Sequence, residues 1–114
     1  MTGYLTTHVL DTAHGRPAVG VPFQLFRLLD GQRFLLGKFE TNADGRTDRP
    51  ILPQEDFALG TYELAYQAGI YLRAVGASDA FLQEIPIRFT MTEPAHYHVP
   101  LLLSPYGYST YRGS

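Results

Sequence analysis

Cysteine is absent from this sequence of 114 residues. A disulfide framework and thiolate chemistry are therefore excluded. No run of lysine and arginine occurs, and the formal net charge is −2, which argues against a nucleic-acid-binding surface. No apolar run approaches the roughly 20 residues that a membrane-spanning helix needs. The first eight residues contain neither a charged nor an apolar segment typical of a secretion signal, so we expect a cytoplasmic protein.

The composition is that of an ordinary folded protein. Hydrophobic residues make up 45% of the chain and charged residues 18%, which differs from the composition of a disordered segment. A chain of this length is typical of one domain, and it can bury a sizeable core without disulfides. We therefore expect a single domain over residues 1–114.

Short segments rich in β-branched and aromatic residues, separated by turn residues, fill most of the chain. Asp30 and Gly31 accept the positive φ that a tight hairpin turn needs, and they separate two such segments. The stretch 69–83 lacks alternation and is rich in alanine and leucine, which predicts one short helix. The predicted strands cover residues 4–11, 21–29, 32–41, 60–67, 84–92, 96–103 and 106–111. About seven or eight short strands of this kind are typical of a β-sandwich.

Two histidines lie on one predicted strand with a single residue between them. Because side chains alternate along a strand, His96 and His98 point to one face and the residues between them point into the core. The outward positions of this strand and of the first strand are then Thr6, His8, Leu10, His96, His98, Pro100 and Leu102. Leu10 and Leu102 would lie in water in a monomer, so we expect another subunit to cover this face.

Each of these polar residues has alternative interpretations when it is considered separately. His96 and His98 could form a metal-binding pair, although no third ligand lies nearby in the sequence. Arg46 follows Asp44 and Gly45, and this segment is by default a turn with a solvated arginine. The tyrosines near the end of the chain could belong to a packed edge strand.

Taken together, these segments resemble a known family. The segments are Leu5–Asp11 with His8, the Asp44-Gly45-Arg46 turn, and the run from His96 to Ser114 with its closing Tyr-Arg-Gly-Ser. They are similar to the transthyretin-like 5-hydroxyisourate hydrolases over essentially the whole chain. The resemblance implies an all-β fold, a transthyretin-like sandwich of two four-stranded antiparallel sheets with one short helix. It also implies a homotetramer with active sites at a dimer–dimer interface.

The resemblance further implies an enzyme of urate degradation. Its substrate would be 5-hydroxyisourate, whose six-membered ring is opened by water to give 2-oxo-4-hydroxy-4-carboxy-5-ureidoimidazoline. No cofactor and no metal is implied. The catalytic residues that the resemblance implies are His8, Arg46, His98 and Ser114. The substrate-binding residues that it implies are His8, Arg46, Tyr111, Arg112, Gly113 and Ser114.

The chemistry of these side chains suggests roles for them. Histidine titrates near neutral pH, so either His8 or His98 can act as the base and then as the acid. Arg46 is permanently charged and suits an oxyanion or a purine-like ring edge, and Arg112 is a second cation for the substrate. Ser114 offers a hydroxyl and the terminal carboxylate, which could orient a histidine.

Two other functions fit parts of the sequence. A transthyretin-type carrier would bind a hydrophobic small molecule in the channel of the tetramer, but it would not need histidine and arginine there. An immunoglobulin-like adhesion module fits the strand pattern and leaves the polar residues unexplained. An assay of 5-hydroxyisourate decay distinguishes the enzyme from both.

Overall fold

Two four-stranded β-sheets pack face to face in the structure, a computed structural model that describes residues 3–113. One short α-helix and a single turn of 3₁₀ helix (Gln54–Asp56) connect strands. The regular elements are β1 (Tyr4–Asp11), β2 (Arg16–Pro17), β3 (Pro22–Leu29), β4 (Gln32–Glu40), β5 (Gly60–Gln67), α1 (Ala68–Ala74), β6 (Glu84–Met91), β7 (His96–Ser104) and β8 (Gly107–Thr110). The expected sandwich of two four-stranded sheets with one short helix is confirmed.

The first sheet contains a parallel pair, which corrects the expectation that both sheets are antiparallel. Its strand order is β2-β1-β7-β8, and the order of the second sheet is β4-β3-β5-β6. β1 and β7 run in parallel over eight paired residues, from Tyr4 beside His96 to Asp11 beside Leu103. The chain forms the whole second sheet between β1 and β7, and such a long crossover allows two neighbouring strands to run in the same direction.

The core lies between the sheets and follows the alternation of the strands. Leu5 and Val9 on β1 are fully buried, whereas Thr6 and His8 between them are half-buried on the outer face. Burial of a large apolar side chain stabilises a fold by roughly 1.5–3 kcal/mol. One polar link crosses this core, because Thr7 donates a hydrogen bond of 2.7 Å to the Val99 carbonyl and accepts one of 2.7 Å from the hydroxyl of Tyr66.

The predicted helix exists and covers the first half of its expected segment. α1 ends at a Schellman motif, in which Gly76 adopts a φ of 76°. The Gly76 amide donates to the Arg73 carbonyl at 3.1 Å, and the Ala77 amide donates to the Leu72 carbonyl at 2.9 Å. Glycine accepts this left-handed conformation without steric cost, and it therefore stops the helix before residue 77.

The turns agree with the sequence in one case and differ in another. Asp30 and Gly31 have φ values of 50° and 76°, which confirms the predicted tight hairpin between β3 and β4. Residues 14–17 include the glycine and proline that are typical of a turn, yet they contain the short strand β2, whose Arg16 pairs with Asp11. Within residues 3–113, no helix has the length and apolar character required to cross a membrane.

Candidate active site

The outer face of the first sheet brings the histidines together through the parallel register of β1 and β7. Thr6 lies directly beside His98, and Tyr4 lies beside His96. The Tyr4 and His96 rings are stacked, with centroids 4.1 Å apart and planes 6° apart. The rings of His8 and His98 are also neighbours, with centroids 6.5 Å apart. The predicted shared outer face of His8, His96 and His98 is therefore present.

One hydroxyl joins two of these histidines. Thr6 Oγ1 lies 2.7 Å from His96 Nε2 and 2.8 Å from His98 Nδ1, so both contacts are hydrogen bonds. His98 uses one ring nitrogen for Thr6, and its other nitrogen, Nε2, has no hydrogen-bond partner among residues 3–113. The sequence placed Thr6 on this face without a function, because the neighbour of a strand cannot be identified from alternation alone.

A loop attached to β1 delivers Arg46 to the same face. The Val9 amide donates to the Gly45 carbonyl at 2.8 Å, and the Leu5 amide donates to the Leu52 carbonyl at 2.9 Å. The residues between these two attachment points therefore run beside the outer face at the level of Thr6 and His8. The turn before them is held by the side chain of Asn42, which accepts a hydrogen bond from the Arg46 amide at 3.1 Å.

Two glycines allow backbone to pass close to the two catalytic candidates. Gly45 has a φ of 73°, and a Cβ there would lie 3.3 Å from His8 Cδ2 and in collision with the carbonyl oxygen of Val9. A Cβ at Gly113 would lie 2.8 Å from His98 Cδ2. Side chains at these two positions would therefore displace the loop or the imidazole rings. The requirement at Gly45 was not recognised from the sequence.

The end of the chain lies beside β7. The Gly113 amide donates a hydrogen bond of 2.6 Å to the carbonyl of His98. Tyr111 is exposed, and its neighbour Arg112 places its guanidinium over the ring of Tyr97, 4.2 Å from the centroid. Tyr97 alternates with the histidines and belongs to the opposite face, so the Arg112 charge is directed away from His98.

Arg112 also has a carboxylate partner. Its Nη2 lies 3.3 Å from Glu93, and both side chains are more than half exposed. The sequence predicts Arg112 as a second cation for the substrate, and in this chain its guanidinium contacts Tyr97 and Glu93. Ser114, the remaining predicted residue of this segment, lies outside the described residues.

The histidines, the loop and the tail enclose a groove of about 980 Å³. His8 neighbours His98 and is not among the residues that line the groove. Arg46 is exposed there, and no carboxylate within residues 3–113 forms an ion pair with its guanidinium. The groove is lined by Thr6, Thr7, Arg46, Thr47, Asp48, Arg49, Pro50, His96, His98, Tyr111, Arg112 and Gly113.

Burial and nearby positive charge favour the neutral form of the histidines. The pKa of His98 lies below the usual 6.5, first because of burial and then because Arg46, His96 and His8 are close. The pKa of His8 is lowered by burial and by Arg46, and the Asp44 backbone and carboxylate partly oppose this shift. Burial alone lowers the pKa of His96. Neutral imidazoles at neutral pH can accept protons, as a general base must.

The pair His96 and His98 has no third metal ligand beside it among the described residues. Among residues 3–113, no three side chains of histidine, cysteine, aspartate or glutamate are close enough together to hold one metal ion. The pair His96 and His98 considered from the sequence is instead joined by the Thr6 hydroxyl.

The residues 47–50 that line the groove had no sequence signal, because their position depends on how the loop attaches to β1.

Comparison with known proteins agrees with this arrangement. The model of the HIUase/Transthyretin family matches residues 5–113. The chain belongs to this family. A relative named 5-hydroxyisourate hydrolase 2, from Rhizobium meliloti, is 55% identical and covers 99% of this chain and 98% of its own length. The 5-hydroxyisourate hydrolase of Pseudomonas aeruginosa is 51% identical, with coverage of 98% and 92%.

Two solved structures have the same fold. The 5-hydroxyisourate hydrolase of Klebsiella pneumoniae superposes with a TM-score of 0.81 at 33% identity, covering 98% of this chain and 94% of that one. A structure described as (S)-allantoin synthase gives a TM-score of 0.92 at 44% identity. It covers 98% of this chain, whereas this chain covers only 44% of that protein.

Proposed function

We propose that this protein is a 5-hydroxyisourate hydrolase that opens the six-membered ring of its substrate with water. The observation that carries the proposal is the groove in which a neutral histidine, His98, lies together with Arg46, whose guanidinium has no ion-pair partner among residues 3–113. Relatives that cover nearly the whole chain at 55% and 51% identity carry the same name, which supports this substrate.

His98 acts as the general base in this proposal. It lines the groove, its Nδ1 bonds to Thr6, and no group among residues 3–113 bonds to its Nε2. A low pKa keeps the ring neutral, so Nε2 can accept a proton from the attacking water. The water oxygen bonds to the ring carbonyl carbon, the C–N bond then breaks, and the proton is returned to the leaving nitrogen. The product gains a carboxyl group and an N–H group.

Arg46 stabilises the negative charge that develops on the carbonyl oxygen. Its guanidinium has five N–H donors and no carboxylate partner among the described residues, so it can bind oxygens of the substrate. Preorganised donors of this kind contribute most where charge appears in the transition state. A carrier of hydrophobic ligands has no need for such a charge, and this disfavours the carrier alternative.

The other predicted site residues have supporting roles in the proposal. His8, 6.5 Å from His98 between ring centroids, orients the water or passes protons to the catalytic ring. Tyr111 and Gly113 form a wall of the groove and contact the substrate. Arg112 lines the groove and acts as a second cation for the substrate, and Ser114 contributes its hydroxyl and carboxylate.

The proposal extends to the assembly and the location of the protein. Residues 1–114 act as one hydrolase domain in a homotetramer whose subunits meet on the outer face of the first sheet. Leu10 and Leu102 on this face are only half-buried in the single chain, which favours a subunit contact. Size-exclusion chromatography with light scattering tests the tetramer, and cell fractionation tests the cytoplasmic location.

Substitution of the two central residues tests the function. His98→Ala should lower kcat by roughly 10²–10⁴-fold, the usual contribution of a general base. Arg46→Ala should lower kcat by roughly 10²–10³-fold, as the loss of an oxyanion donor does. The measurement is the decay of 5-hydroxyisourate absorbance immediately after urate oxidase has produced it.

A histidine outside the groove provides the matched control. His14 follows β1, the strand that contains His8, but its ring contacts Asp11 and is not among the residues that line the groove. His14→Gln should therefore keep wild-type turnover. Wild-type rates in both the His98 and Arg46 variants would contradict the site. An inactive wild-type protein would contradict the function itself.

A further inference from the structure

The hydroxyl of Thr6 connects two imidazole rings with a single proton. Thr6 Oγ1 lies within hydrogen-bond distance of His98 Nδ1 and of His96 Nε2, at 2.8 and 2.7 Å. A hydroxyl donates one hydrogen bond and accepts others. Thr6 can therefore donate to only one of these histidines, so at least one ring must carry a hydrogen on the nitrogen that faces Thr6, and the tautomers of the two rings are coupled.

The tautomer that suits catalysis follows from this coupling. If His98 is to accept a proton at Nε2, its own hydrogen must be on Nδ1, and Nδ1 then donates to Thr6. Thr6 in turn donates to Nε2 of His96, which carries its hydrogen on Nδ1. The opposite arrangement would place a hydrogen on Nε2 of His98 and make it unable to accept a proton from water.

The charges near His98 differ from those near His96, and the difference favours a positive charge on His96. The positive charge of Arg46 disfavours a proton on His98 and on His8, whereas His96 feels no such effect. The face of the Tyr4 ring is 4.1 Å from the His96 ring, and an aromatic face attracts a cation. A positive charge is therefore easier to accommodate on His96 than beside Arg46.

We propose that Thr6 is a positioning residue that holds His98 in its Nδ1–H form and passes a proton between His98 and His96. This inference rests on the proposed function. When Nε2 of His98 takes a proton from water, Nδ1–H gives its proton to the Thr6 oxygen, and the Thr6 proton moves to Nε2 of His96. His98 is then neutral with its hydrogen on Nε2, and the positive charge lies on His96. As Nε2–H is given to the leaving nitrogen, the reverse transfer from His96 through Thr6 returns a proton to Nδ1, which restores the starting state and balances the protons.

The test removes the hydroxyl and keeps the shape of the side chain. Thr6→Val should lower kcat by roughly ten- to a hundredfold, the effect seen when the outer hydrogen-bond partner of a functional histidine is removed in metal sites. KM should stay within about threefold, because Thr6 orients a catalytic ring and does not supply the binding charge. Thr6→Ser keeps the hydroxyl and should restore most of the loss. Thr6→Ala repeats the test if valine disturbs the strand.

The pH profile gives a readout that a structural role would not change. Arg46, His8 and His96 are the charged or titratable groups that act on His98, and Asp44 acts on His8. All of them remain in the Thr6 variants. Loss of the acceptor for Nδ1–H disfavours the charged ring, so the acid limb of kcat should move to lower pH in Thr6→Val. Thr61→Val, which removes an exposed hydroxyl bonded to Thr90 on the second sheet, is the control and should leave the profile unchanged.

Nitrogen-15 NMR of labelled histidine separates this inference from the proposed function. The His98 signal, assigned by its absence in His98→Gln, should show the Nδ1–H form in the wild type and lose this preference in Thr6→Val. An Nε2–H form in the wild type would overturn the inference. An unchanged kcat and pH profile in a folded Thr6→Val protein would do the same. If the wild type fails to hydrolyse 5-hydroxyisourate, the proposed function fails, and the NMR result still decides whether Thr6 couples the tautomers.

Discussion

Gly113 has no room for a side chain because the His98 ring packs against it. A methyl group at this position would lie 2.8 Å from His98 Cδ2, 3.2 Å from Cβ and 3.3 Å from Cγ, whereas ordinary contacts begin at 3.4 Å. The Gly113 amide also donates a 2.6 Å hydrogen bond to the His98 carbonyl, which holds the backbone of the chain end against the backbone of β7. In Gly113→Ala the imidazole and the new methyl group must therefore separate, and an ordinary contact requires a further 0.6 Å.

A movement of this size should have a measurable effect on catalysis. The bond between His98 Nδ1 and Thr6 is 2.8 Å long, and a further 0.6 Å along its direction would leave it too long for a normal hydrogen bond. A misplacement of about 1 Å can reduce a rate roughly 10²-fold. We therefore expect Gly113→Ala to lower kcat roughly ten- to a hundredfold, or about 1.4–2.8 kcal/mol in activation free energy.

The assay is the decay of 5-hydroxyisourate, with Gly107→Ala as the matched control. Gly107 lies on β8 in the same terminal segment, and a Cβ there would have only Ser104 Oγ nearby, at 3.8 Å. The control should therefore keep wild-type kcat, and circular dichroism should show both variants folded. A folded Gly113→Ala protein with kcat within about twofold of wild type would refute the packing argument.

Two further predictions concern Asp11 and Arg112. Burial opposes the charge of Asp11, but hydrogen bonds from Tyr71 at 2.6 Å and from His14 outweigh it and lower the pKa below 3.8. This stabilisation is present above the unfolded pKa and is lost as the pH falls through the folded one. Asp11→Asn should therefore lower the unfolding free energy by about 1.5–3 kcal/mol at pH 7, with a smaller difference below pH 4 in urea titrations. The contact between Arg112 and Glu93 holds the end of the chain, so kcat should fall in Arg112→Met and, to a smaller extent, in Glu93→Gln. If Arg112 binds the substrate directly, Arg112→Met should instead raise KM, and Glu93→Gln should leave kcat and KM unchanged.

The sequence predicted the strands and their faces well because alternation is a local property. β1, β3, β5, β6 and β7 match the predicted strands within one residue at each end. The outward orientation of His8, His96 and His98 follows from the same alternation and is confirmed by their half-buried positions. Each of these results needs only the order of residues along one segment and a period of two.

Relations between strands were less accessible from the sequence. The parallel pairing of β1 and β7 depends on the path of the chain through the second sheet, so the contact of Thr6 with His98 had no local signal. The side of β7 that Arg112 faces depends on the register of the tail. β8 pairs Leu101 with Thr110, and the same register places Arg112 beside the core-facing Val99.

The arrangement of the groove gives the proposed tetramer a physical role. Its polar groups are fixed on rigid elements, because Thr6 and His98 lie on paired strands and Gly45 is bonded to β1. The groove itself is bordered on its outer side by exposed residues, including Arg46 and Tyr111, and its volume of about 980 Å³ leaves space for water around a small bicyclic substrate. Electrostatic stabilisation by Arg46 is strongest where bulk water is excluded. A second subunit on this face would exclude that water, so assembly would strengthen the electrostatic interaction between Arg46 and the substrate.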